Sequence, residues 1–225
     1  MPVPTPAVEP PPVLPHLDRP HLDLPGLAEG RLALVGNAPG SEDHAAAIDA
    51  CEGVVRFNNA AGFGGRTGAR VTHLALVNRG GQMREWLDDP GFLDRPAIRQ
   101  ARAFLLPFPA LPPAAAGMGD GACWTREALA MLRSRGRLVH VLPEALHAAS
   151  RRLLASDPVR EAAGRPNPST GFLVALALLS ARAPGASPVE AFGFGFSGWP
   201  GHPWAAERRW FEQAQASGRL RLHRP

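Results

Sequence analysis

The 225-residue sequence contains no lysine and no tyrosine, and only two cysteines, Cys51 and Cys123. All 24 basic residues other than histidine are therefore arginine. The lack of lysine excludes a phosphate-binding loop of the Gly-Lys-Ser/Thr type and a lysine nucleophile, and the lack of tyrosine excludes a tyrosine acid. Two distant cysteines form neither a CxxC metal motif nor a disulfide framework, so we expect reduced thiols and no metal site.

Strong charge and long apolar runs are also absent. The formal net charge is only +4, and no basic run alternates with aromatic residues, so we expect no nucleic-acid partner. The longest apolar run, Phe172 to Leu179, is far too short to span a bilayer, and the first residues lack a secretion-signal pattern. These features predict a cytoplasmic protein.

Proline is concentrated at the start of the chain, where residues 1–25 contain nine of them. Proline lacks a backbone N–H and favours an extended conformation, so this stretch predicts a disordered arm or, alternatively, a docking peptide for a partner. Residues 26–225 then have the length and composition of one globular domain.

Short apolar runs alternate with amphipathic stretches from residue 31 onward, which predicts an α/β sandwich, a Rossmann-like three-layer fold with a mostly parallel sheet. The predicted strands are Leu32–Val35, Val54–Phe57, His73–Val77, Ala103–Leu106, Leu138–Leu142, Val189–Phe194 and Arg219–Leu222. The predicted helices are His44–Ala50, Gln82–Leu87, Trp124–Ser134, Pro143–Ala155, Phe172–Arg182 and Trp204–Ala216. Residues 107–120 are predicted to form a long loop that overhangs a site.

A glycine- and asparagine-rich segment follows the first predicted strand. Gly36 and Gly40 permit a sharp turn, and the helix that follows would offer N–H groups and a positive dipole to an anion. The glycine spacing is not the G-x-G-x-x-G of dinucleotide-binding proteins, which argues against a Rossmann-type oxidoreductase. Asn37, Asn58 and Asn59 either contact a ligand through their amides or are ordinary turn residues.

Two later segments are further candidates. Pro168 to Gly171 precede an apolar helix, with Ser169 as the predicted N-cap, so this segment is either an anion site or a plain cap. His202 follows a Gly/Pro-rich loop and Glu207 lies at the start of the next helix, so His202 is either a general base or a packed surface residue.

Arg56 lies within the second predicted strand, and Arg70 precedes the third. Because an arginine between Val55 and Phe57 would alternate onto a strand face, we expect both arginines to be buried and paired with carboxylates such as Asp49. We interpret them as scaffold, with phosphate contact as the alternative.

These segments occur in an order that resembles the sialyltransferase family of inverting glycosyltransferases, including its small bacterial members. The matched blocks are Val35-Gly36-Asn37, Ile48-Asp49, Val55–Ala60, Gly68–His73, Pro168–Gly171, Gly193-Phe194, and His202 with Glu207. The resemblance implies a variant GT-A fold and an enzyme that transfers sialic acid or a related sugar from a cytidine-nucleotide donor to a glycan or other hydroxyl acceptor. It implies inversion, and neither a metal nor an organic cofactor.

The resemblance also implies residue roles. Asn37 and Asn58, with Gly36 and Asn59 beside them, would bind the cytidine monophosphate, and Ser169, Thr170 and Gly171 the sugar and its carboxylate. His202 would be the catalytic base, oriented by Glu207. A separate histidine-aromatic motif of that family is absent here, so the alternative is a non-catalytic nucleotide- or sugar-binding accessory protein of the same fold.

Overall fold

Seven strands form one all-parallel sheet in a computed structural model of the chain, which describes residues 24, 26–112, 121–155, 167–183 and 185–224. The strands are β1 Leu32–Val35, β2 Gly53–Phe57, β3 His73–Ala75, β4 Ala103–Leu106, β5 Leu138–Val141, β6 Val189–Phe192 and β7 Leu220–Leu222. The helices are α1 Ala45–Asp49, α2 Gly80–Asp88, α3 Pro96–Gln100, α4 Thr125–Arg133, α5 Glu144–Ala155, α6 Thr170–Ala181 and α7 Trp204–Ala216.

Helices cover the two faces of the sheet in separate groups. On one face α5, α6 and α7 pack against β1, β2, β6 and β7, and the segment from Phe172 to Leu179 of α6 is buried throughout. On the other face α2, α3 and α4 pack against β3, β4 and β5, while Ile48 of α1 packs against β1 and β2. The predicted three-layer α/β sandwich is therefore confirmed.

The strand order is β5-β4-β3-β2-β1-β6-β7, so the chain moves outward from β1 to β5 and then returns to place β6 on the other side of β1. The connections on the two sides of β1 consequently leave in opposite directions. Open parallel sheets bind ligands at such a point, in the crevice beyond the carboxyl ends of the strands. Here that crevice lies between the ends of β1 and β6.

The element boundaries differ from the predicted ones in a few places. Strand β6 ends at Phe192 because Gly193 has a φ of +66° and turns the chain. Helix α6 begins two residues earlier than predicted, directly after the Ser169 cap. Helix α3 and a short 3-10 turn at Phe92–Asp94 have no predicted counterpart, because three to five residues are too few to show a helical period.

The predicted proline-rich arm, residues 1–25, lies outside the described residues apart from Leu24, which is buried in the core beside α6. Of the predicted loop 107–120, the described part ends at residue 112 and contains no helix or strand. No helix in the described ranges is both long and apolar enough to cross a membrane.

Burial of His73 makes the stability of this sheet depend on pH. His73 begins β3, its Nδ1 lies 2.9 Å from the Thr72 hydroxyl, and burial, aided by the positive charges of His140 and Arg102, lowers its pKa from 6.5 to about 4. The unfolded chain therefore binds the proton more tightly. We expect the free energy of unfolding to fall as the pH drops from 6.5 toward 4, by up to about 3 kcal/mol from His73.

Chemical denaturation of the wild type and of His73→Asn at several pH values measures this effect. The variant has no titrating group at residue 73 and should lose less stability over the same interval. An equal loss in both proteins would show that His73 is not responsible.

Candidate functional site

The backbones of two glycines touch where β1 and β6 end. The Gly36 N–H donates to the Phe192 carbonyl at 2.8 Å, and the Ala38 N–H donates to the Gly193 carbonyl at 3.0 Å. A Cβ on Gly36 would lie 2.3 Å from the Gly193 oxygen, closer than any side chain tolerates. Gly36 is thus required for the close approach of the two strand ends.

The first turn of α6 lies at the same end of the sheet. A Cβ on Gly171 would lie 3.1 Å from the ring of Phe194, which directly follows Gly193. The N–H groups of Thr170 and Gly171 belong to the first helical turn and have no acceptor within the helix. We call the crevice bounded by Gly36, Thr170, Gly171, Gly193 and Phe194 the β1/β6 cleft.

A buried carboxylate holds the start of α6 in place. Oε1 of Glu207 accepts a hydrogen bond from the Ser169 N–H at 2.7 Å, and Oε2 accepts one from the Ser169 hydroxyl at 2.7 Å. The hydroxyl oxygen also accepts from the Phe172 N–H at 3.1 Å, which makes Ser169 the predicted N-cap. Ser169 is therefore fully engaged by its own chain.

The loop between β6 and α7 carries His202 between two indoles. Its ring lies edge-on to Trp199 and Trp204, each with a centroid distance of 4.9 Å, and its Nδ1 lies 2.8 Å from the Asn167 carbonyl oxygen. Burial lowers the pKa of His202, and the hydrogen bond to Asn167 acts in the opposite direction. His202 and Glu207 thus contact the same short segment, Asn167 to Ser169.

An asparagine after each of three neighbouring strands joins that strand to the next one. Asn37, after β1, donates to the Phe57 carbonyl at 3.0 Å and accepts from the Ala61 N–H at 2.9 Å. Asn58, after β2, accepts from the Val77 N–H at 2.9 Å.

Asn78, after β3, is fully buried and completes this series. It donates to the Phe108 carbonyl and to the Thr125 hydroxyl, and accepts from the Phe108 N–H. Sequence reasoning did not select Asn78, although it directly follows the predicted strand His73–Val77, as Asn58 follows the predicted strand Val54–Phe57.

Asn59 lies apart from the cleft. Its side-chain oxygen accepts from Trp86 Nε1 of α2 at 3.1 Å and from Arg95 at 3.0 Å. Of the predicted site residues, Gly36, Asn37, Thr170 and Gly171 therefore share the carboxyl end around β1 and β6, whereas the Asn59 amide is directed toward α2.

Arg56 is buried as expected, but its partners are different. Its guanidinium donates to the carbonyls of Thr67, Gly68 and Arg70, and burial lowers its pKa to about 10. The Asp49 carboxylate instead accepts from the backbone N–H groups of Ala69 and Arg70. Both side chains brace the segment between β2 and β3, which supports the scaffold interpretation.

Comparison with known proteins identifies the family. No family model matches the chain. The urease operon 23 kDa accessory protein of Rhizobium meliloti (strain 1021) is 32% identical over 204 residues, which cover 86% of this chain and 93% of the relative. The chain belongs to the family of this accessory protein.

Membership of the accessory family corrects the sialyltransferase interpretation. Three predictions are wrong: membership of the sialyltransferase family, a glycosyltransferase activity, and a nucleotide-sugar donor with a glycan acceptor. The similarity to the accessory protein overturns them, because it extends over most of both chains. The structure gives the physical reason for the misleading match. Gly36, Asn37, Asn58 and Ser169 join strand ends and cap a helix, roles that a Rossmann-like sheet with this close approach needs whatever its function.

In the described ranges, no three His, Cys, Asp or Glu side chains cluster in a way that could hold a metal ion. Cys51 and Cys123 are free thiols.

The Glu207–Ser169 pair can be tested by a double-mutant cycle. Glu207→Gln replaces one carboxylate oxygen with an NH₂ group facing the Ser169 hydroxyl, so we expect a loss of about 2–3 kcal/mol in the free energy of unfolding. Ser169→Ala removes the helix cap and one of the hydrogen bonds to the Glu207 carboxylate, so we expect a loss of about 2 kcal/mol in the free energy of unfolding. The double variant should lose less than the sum, by about 1 kcal/mol or more.

Glu212→Gln on the same helix is the matched control. Glu212 is exposed and pairs with Arg208 at 3.6 Å, so its replacement should change stability by less than about 0.5 kcal/mol. Strictly additive losses in the Glu207 and Ser169 variants would contradict the assigned contact.

Proposed function

We propose that this protein is a non-catalytic accessory protein that binds a small nucleotide- or sugar-type anion in the β1/β6 cleft. Its relative is named an accessory protein of a urease operon, and we propose that this chain likewise serves the production of active urease. The proposal needs neither a metal nor an organic cofactor. Family membership supports the accessory role, and the geometry of the cleft supports the ligand class.

The observation that carries the proposal is the position of the first turn of α6 at the switch point of the sheet. The N–H groups of Thr170 and Gly171 and the positive end of the helix dipole favour a phosphate or carboxylate at that position. Gly36 and Gly193 are buried and lack side chains where the strand ends meet, so the two backbones pack directly against each other at this end of the sheet.

Trp199 supplies an exposed flat apolar surface on the loop between β6 and α7, where its ring lies against His202. Its side chain is 54% exposed, whereas most large apolar residues of the described chain are buried. The Trp199 ring packs over Gly201, so a Cβ there would lie 2.1 Å from the ring and would displace the indole. An indole held in this way suits stacking against a base or a sugar ring.

The predicted binding residues then divide into two groups. Thr170, Gly171 and Asn37 are proposed to contact the ligand, with Gly36 forming the floor. The others make contacts inside the chain. Asn58 and Ser169 shape the cleft, whereas Asn59 binds Trp86 and Arg95 away from it. We propose that His202 and Glu207 position the segment before α6 instead of performing catalysis, since both contact it directly.

Thermal unfolding in the presence of nucleoside monophosphates and hexose phosphates tests ligand binding, with the matching nucleosides and hexoses as phosphate-free controls. A ligand at about 100 times its Kd should stabilise the fold by ~2.7 kcal/mol. The phosphate-free compounds should stabilise it much less, because they lack the anion.

Thr170→Pro is the decisive variant. Thr170 is the first residue of α6, where proline is tolerated, and Ser169 has a ψ of 156°, which suits a residue before proline. The variant should fold but lose one donor and the hydroxyl, which weakens binding about tenfold or more. Glu144→Pro, at the first residue of α5, is the matched control and should bind normally. Stabilisation by none of the ligands, or equal stabilisation of Thr170→Pro, would overturn the proposal.

A further inference from the structure

A second cavity lies at the opposite end of the sheet from the β1/β6 cleft. It has a volume of about 200 Å³ and is lined by residues of α3, by β4 and by the segments that follow α4 and precede β5. Leu93, Ile98 and Phe104 form an apolar wall, and Ile98 and Phe104 are buried. Because Phe104 and Leu138 lie near the starts of parallel strands, this cavity belongs to the amino end of the sheet.

Three arginines surround this apolar wall. Arg99 lies in the last turn of α3, Arg135 follows α4, and Arg137 precedes β5, and all three line the cavity. Asp94 is the one carboxylate among the lining residues, and its Oδ1 is 3.8 Å from Arg135 in a pair whose side chains are both more than half exposed. Such a pair is weak, so the lining has an excess of positive charge.

Arg137 is held in a defined position. Its Nη1 donates to the Ala101 carbonyl at 3.2 Å and its Nη2 donates to the Arg99 carbonyl at 2.8 Å. A guanidinium has five N–H donors, so these two bonds orient the group and leave donors for another acceptor. The side chain is only partly exposed, which strengthens its interaction with an anion relative to a fully solvated arginine.

We propose that this cavity is a binding site for a small organic anion, a carboxylate or phosphate ester carried on an apolar body. An apolar cavity of ~150 Å³ accommodates benzene, so the present volume suits a single ring or short branched chain. The apolar body would contact Leu93, which is partly exposed, and the anionic group would lie beside Arg137 with Arg99 and Arg135 at the mouth. This site is separate from the proposed ligand cleft and does not depend on it.

The test is calorimetric titration of the full chain with benzoate and phenyl phosphate, and with benzamide as the neutral analogue of benzoate. Benzamide should bind at least about tenfold more weakly, because it lacks the charge. N-acetylphenylalanine carries a carboxylate like that of a chain terminus. If it binds more tightly than benzoate, the natural source of the anion is a partner polypeptide. If benzoate binds more tightly, the source is a free small molecule.

Variants locate the site. Arg137→Gln should weaken benzoate binding about tenfold or more, and Arg99→Gln, which removes no carbonyl contact, should weaken it about threefold to tenfold. Asp94→Asn should strengthen binding, since it removes the one opposing charge. Arg126→Gln changes the net charge equally but lies at the other end of α4 and should have no effect. Equal binding of benzamide and benzoate, unchanged binding in Arg99→Gln and Arg137→Gln, or no binding of any probe would overturn the proposal.

Discussion

A buried carboxylate, Glu207, determines how the carboxyl end of the sheet is arranged. Burying a carboxylate costs several kcal/mol unless its oxygens are well hydrogen-bonded, and here both oxygens accept from Ser169. The pair therefore fixes the first turn of α7 against the first turn of α6. Because α6 is apolar and buried along its length, its N-terminus cannot move without disturbing the core. The orientation of the Thr170 and Gly171 N–H groups follows from this one contact.

The contacts at this end of the sheet also explain why the motifs suggested the wrong activity. Residues that resemble a glycosyltransferase site are used here to build the sheet end: Gly36 permits the contact with Gly193, Asn37 and Asn58 join adjacent strand ends, and Ser169 binds Glu207. Such positions recur because the geometry of a parallel sheet requires them, so a match at them supports a fold more strongly than a function. The family relationship supports the proposed accessory role, which the motifs did not indicate as the main interpretation.

Sequence periodicity predicted the architecture well, since each of the seven strands lies within two residues of its predicted bounds and the apolar pattern of α6 required burial. It could not show that Ser169 would be engaged by Glu207, 38 residues away, because hydrogen bonding between distant segments leaves no periodic pattern. The arginine-lined cavity was missed for the same reason: Arg99 lies in α3, Arg135 and Arg137 lie in the connection from α4 to β5, and they converge only in the folded chain.

The most direct test of the accessory role is genetic complementation in Rhizobium meliloti lacking its own 23 kDa urease operon accessory protein. Urease activity per amount of urease polypeptide would be measured in strains supplied with the wild-type chain, with Thr170→Pro or with Glu144→Pro, at matched expression levels. The account predicts that the wild type and Glu144→Pro raise urease activity toward that of the parent strain and that Thr170→Pro does not. Failure of the wild type to raise activity, or full activity with Thr170→Pro, would contradict it.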